Sequence, residues 1–165
     1  MIIVSDTTPI NYLVLIGEID LLEKLYGRVI VPQAVVHELH HPRTPLVVSN
    51  WIAAPPAWIE IKAATAIDAT LNLGAGEAEA ISLAIELGAD QLLIDERKAR
   101  KIAVARGFQV TGTLNILGFG AAQELIDLPT VLTKLLQTTF RAPAELVQLL
   151  LDEDNVRKLA KQIGS

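Results

Sequence analysis

Four acids stand where chemistry is plausible in this chain. Asp6 follows the apolar run "IIVS", and Asp95 follows "QLLI". Glu77 opens a glycine-led helical stretch, and Glu38 lies about two turns into a helix after another apolar run. Carboxylates gathered at one rim repel and raise one another's pKa values. Such a cluster suits a divalent cation of the hard, oxygen-preferring kind, Mg²⁺ or Mn²⁺. An ion of this kind lowers the pKa of water and stabilises charge on a phosphodiester. Each acid also has a plainer reading. Asp6 and Asp95 are good helix N-caps, Glu77 suits the first-turn dipole, and Glu38 suits a solvated helix face.

A second metal motif competes. "HELHH" (37–41) satisfies H-E-x-x-H, with His37 and His41 as zinc ligands and Glu38 as base. On a helical wheel Val35, Val36 and Leu39 define the apolar side and the two histidines lie opposite, toward solvent. Pro42 ends the helix at once, and no third ligand is in evidence. A zinc hydrolase is therefore the weaker alternative. "LGAGEAEA" lacks the Lys-Ser/Thr of a P-loop and the full G-x-G-x-x-G, so its glycines are read as shaping a helix start.

The acids need elements to carry them. Strands are expected at 2–5, 28–31, 58–61 (an edge strand), 91–94 and 108–111. Helices are expected at 9–16, 18–25, from Pro32 to about His41, 45–53, 72–90 and 95–107. From Thr113 onward everything reads as helical, with turns near Pro129 and Pro143. Strands alternating with helices predict an α/β fold with parallel pairing and right-handed crossovers. Ligands in such sheets bind beyond the carboxyl ends of the strands, which is where Asp6 and Asp95 fall.

At 165 residues and 51% hydrophobic, the chain suits one domain with a substantial core. A net charge of −5 argues against a broad nucleic-acid-gripping surface, though not against a local basic patch. Arg97, Lys98, Arg100 and Lys101 form such a patch beside Asp95. It reads either as a solvated helix face or as a phosphate contact. The absence of cysteine removes disulfides and thiolate chemistry and fits a cytoplasmic location. Neither a signal peptide nor a membrane span is expected. The leucine-rich "LVQLLL" (146–151) is either core or interface.

"SDTTPINYL", "VIVPQAVVHEL", "GAGEAEAISLA" and "LLIDERKARKIA" together resemble the PIN-domain family, the fold of VapC-type toxin ribonucleases, and within it a prokaryotic subfamily with GEAEAI and LLIDERKAR blocks. The resemblance covers about residues 2–120. It implies one three-layer α/β/α domain over 1–165, with a central parallel sheet of four to five strands. The core would be about 1–125 and a helical extension about 126–165. It further implies Mg²⁺- or Mn²⁺-dependent cleavage of single-stranded RNA, with Asp6, Glu38, Glu77 and Asp95 as the catalytic, metal-holding acids. Ser5, Thr7, Arg97, Lys98 and Thr113 would contact substrate, or else serve as local caps. Many members carry a further acid where this chain has Arg97, which leaves the number of ions open. A small antitoxin partner and a homodimer are implied as well. The alternative within the same fold is a module that binds RNA or a partner with little catalysis.

Overall fold

A computed structural model describes residues 1–164. Among them, five short parallel strands form one sheet flanked by helices. The strands are β1 (Ile3–Ser5), β2 (Val29–Pro32), β3 (Ile59–Lys62), β4 (Gln91–Leu93) and β5 (Gln109–Thr111), in the order β3-β2-β1-β4-β5. Their pairing sets Val4 beside Ile30 on one side and Leu92 on the other. The central strands are buried along their whole length, because both faces are covered.

From β1 the chain steps outward to β2 and β3, then crosses back to β4 and β5. Right-handed crossovers put the helices of the two wings on opposite faces. The first wing carries α1 (Thr7–Leu15), α2 (Leu21–Tyr26), α3 (Gln33–Leu39) and α4 (Leu46–Ala53). The second carries α5 (Ala75–Leu87) and α6 (Arg97–Ala105), with a 3-10 turn at Ala69–Leu71 before α5. Ala80, Ile81, Leu83 and Ala84 of α5 and Ala99 and Ala103 of α6 bury against Val4, Ile30 and Leu92. Small side chains there let the helices lie close to the sheet. Gly88, at φ +62°, ends α5 in the left-handed conformation that a side chain resists.

The chain divides into two compact units, residues 1–113 and the stretch from Leu114 onward. The second holds α7 (Thr113–Ala122, but for its first residue), α8 (Leu128–Leu136) and α9 (Ala144–Ile163). Asp127 caps α8 by accepting from the Thr130 amide. Gly118 of α7 lets Leu150 of α9 approach, since a Cβ there would stand 2.9 Å from its Cδ2. No helix among the described residues is long and apolar enough to cross a membrane.

Candidate active site

The order of the sheet reverses between β1 and β4, and α/β folds bind ligands at the carboxyl ends beside that reversal. Asp6 and Asp95 follow these two strands, and the Asp6 amide donates to the Leu93 carbonyl at 2.9 Å. Asp6 occupies the N-cap position of α1, yet its side chain makes no capping bond. It is 2% exposed, and among the described residues its Oδ1 has no hydrogen-bond partner. Burial, then the nearby charge of Glu77, raise its pKa to about 7, and Glu38 and Asp95 push the same way. The charges of Glu77, Glu38 and Asp95 thus all act on Asp6.

The other three differ in what they are bonded to. Glu38 sits on α3 and reaches across to the start of α5. Its Oε1 accepts from the Gly76 amide at 2.8 Å, and its Oε2 accepts from the Thr7 hydroxyl. Gly76 must be bare for this, because a Cβ would lie 2.6 Å from Glu38 Oε2. Asp95 accepts from the Thr113 amide at 2.9 Å and the Thr113 hydroxyl at 2.5 Å. Burial still raises its pKa above the usual carboxylate range. Glu77, half-buried in the first turn of α5, is also raised, chiefly by burial.

The plainer readings are thus sorted. The cap of α6 is Glu96, which accepts from the Lys98 amide at 3.0 Å and the Ala99 amide at 2.7 Å, so Asp95 stands just outside the helix it was expected to open. Glu38 is half-buried and doubly bonded rather than solvated. Glu77 remains partly a first-turn glutamate, since its own backbone amide lowers its pKa somewhat.

Of the supporting residues, Thr7 and Thr113 orient Glu38 and Asp95. Ser5 is buried and donates to the Asp6 carbonyl at 3.0 Å. Arg97 is exposed, and Lys98 donates to the Asn72 carbonyl at 2.7 Å. One residue escaped sequence reasoning. Glu79 is buried and accepts from the Ala34 amide at 2.6 Å and the Ala64 amide at 2.9 Å, tying α5 to the start of α3 and the exit of β3. Its place on the apolar side of "GEAEAISLA" was the available signal. Arg100 lies beside Asp95, where its charge partly offsets the raised pKa.

A chain whose acids sit at this switch point, on this strand order, invites comparison with known families. A sequence profile described as PIN domain matches residues 2–156. The chain belongs to the PIN-domain family. Neither a curated protein nor a solved structure matches it. PIN domains are in general nucleases, and they typically use divalent metals.

One expectation for this PIN domain needs correction, and the weaker zinc alternative finds no support. The zinc motif fails: α3 ends at Leu39, so His41 lies beyond the helix and its Nδ1 accepts from the Arg43 amide at 3.1 Å. His37 and His40 are exposed, and His40 Nδ1 pairs with the Val36 carbonyl at 2.9 Å. The acids, for their part, form no ready cage. Among the described residues, no three of the Asp, Glu and His side chains are grouped to hold an ion together. Glu38 and Asp95 have instead turned to amide and hydroxyl donors, which relieves like-charge repulsion. The donor set still fits a hard cation. It is all oxygen, and the orphaned Asp6 Oδ1 is a buried carboxyl oxygen without a partner, which a cation would satisfy.

Proposed function

We propose that this PIN domain is a Mg²⁺- or Mn²⁺-dependent ribonuclease of the VapC type, cleaving phosphodiester bonds in single-stranded RNA. The observation that carries the reading is Asp6. It is a buried carboxylate at a helix cap that does not cap, with one oxygen unpartnered and three acids around it. A purely structural aspartate would be bonded.

Asp6 and Glu77 would hold the ion, with Asp95 and Glu38 completing the anionic rim. A bound Mg²⁺ or Mn²⁺ supplies a more acidic water and charge stabilisation on the phosphodiester. Thr7 and Thr113 keep the rim in shape by donating to Glu38 and Asp95. The raised pKa values of Asp6, Glu77 and Asp95 mean that the rim gives up protons as it takes a cation. Exposed Arg97 and Lys101, with Lys98, give a basic stretch along α6 for RNA phosphates.

The toxin role and the small antitoxin partner rest on the family resemblance. A homodimer has a further support. On α9, Leu149, Val156, Leu159 and Ile163 are exposed at spacings of seven, three and four, the seam of a paired helix.

The decisive experiment is cleavage of single-stranded RNA with Mn²⁺ by wild type and Asp6→Asn. Loss of at least a hundredfold in the variant supports the mechanism. Equal cleavage by both proteins sinks it, and binding without cleavage by wild type would make this a recognition module.

A further inference from the structure

The acidic rim is not uniform. Asp95 has both carboxylate oxygens engaged by Thr113, at 2.9 Å and 2.5 Å. Beside it stands Arg100, half-buried on α6, whose Nη1 donates to the Ile94 carbonyl at 3.3 Å. Gly112 shows how closely the two groups share space. A Cβ on that glycine would lie 2.5 Å from Arg100 Nη1 and 2.9 Å from Asp95 Oδ1. Carboxylate and guanidinium thus press against the same bare Cα. On the other half of the rim, Asp6 Oδ1 is buried with no partner among the described residues.

We propose that Arg100 is a fixed cation of the rim, holding the Asp95 side, so that this site takes one divalent ion, against Asp6 and Glu77, and not two. The inference rests on the metal-site reading above and adds the number of ions and the residue that sets it. Four carboxylates carry four negative charges. Two divalent ions neutralise four, but with a guanidinium already present the second ion leaves the loaded site net positive. It would also have to sit near a like charge in a partly buried place, where screening is weak. Arginine suits this role because its guanidinium stays charged at any working pH. Gly112 is part of the device, since any side chain there would drive the guanidinium off.

The test counts ions on the full chain, by calorimetric titration with Mn²⁺ and by electron paramagnetic resonance of the bound ion. Wild type should bind one Mn²⁺ per chain. Arg100→Gln should bind two, with the broadened signal of a coupled pair, and Arg100→Lys, which keeps the charge, should return to one. Asp6→Asn should weaken the single site at least tenfold. Two ions on wild type, or one ion of unchanged affinity on Arg100→Gln, would overturn the role of Arg100 while leaving the metal site intact. No binding by wild type would overturn the metal reading and this inference with it. The wild-type count can refute the proposal by itself, so the test does not hang on whether the variant folds.

Discussion

Asp6 makes a prediction that runs against habit: removing the central acid should stabilise the metal-free protein. Its pKa is raised from 3.8 to about 7 by burial and by its acidic neighbours. Between those values the native state holds a proton that the unfolded chain releases, so stability falls as pH rises through this window. The penalty is absent below about pH 3.8 and complete above about pH 7. The shift of about three units corresponds to at most about 4 kcal/mol, of which roughly 2–3 kcal/mol develops between pH 5 and 8. Asp6→Asn keeps the shape, removes the titration and places an amide donor among three carboxylates. Urea unfolding in EDTA at pH 5 and pH 8 measures the difference. The variant should gain on wild type as pH rises, its midpoint moving ahead by about 1 M at pH 8 for an ordinary m-value. Millimolar Mn²⁺ should close the gap by stabilising wild type alone. A gap that does not change with pH, or a variant less stable at pH 8, would refute the electrostatic account of the rim.

Glu79→Ala strips the acceptor from two amides, and should cost about 2–5 kcal/mol in urea unfolding at unchanged m. Gly76→Ala sets a Cβ 2.6 Å from Glu38 Oε2, so RNA cleavage should fall about tenfold or more while the protein still folds. Thr113→Val leaves Asp95 Oδ2 without its hydroxyl donor. Its unfolding free energy should drop by about 1–3 kcal/mol. His37→Ala alters an exposed side chain and should change stability by less than about 0.5 kcal/mol and leave cleavage at the wild-type rate.

The sheet was legible because its signals are local. Apolar runs such as "RVIV" and "QLLI" can hardly be anything but covered strands, and Gly88 and Gly107 mark the ends of α5 and α6 by their backbone alone. The strand ends then located Asp6 and Asp95. What stayed hidden was orientation. A helix wheel puts Glu38 on a flank but cannot say that Gly76, 38 residues on, will offer it an amide. Asp95 and Glu96 are adjacent, and either suits a cap; the turn into α6 chose Glu96. Glu79 looked like one more acid of a helix, since its two amide partners come from distant parts of the chain. The H-E-x-x-H match was weak for a related reason: it describes a spacing, and α3 stops before the spacing acquires a geometry.

The central position of β1 also has a bearing on how this molecule is made. Val4 lies between Ile30 and Leu92, so the first strand of this sheet cannot gain its second neighbour until 88 more residues exist. At ordinary elongation speeds of about 5–20 residues per second, that is a wait of roughly 4–18 s. Until then Asp6 is an ordinary solvated aspartate with no Leu93 carbonyl to anchor its amide. The first of the four acids in chain order is thus among the last residues of the sheet to find its surroundings complete.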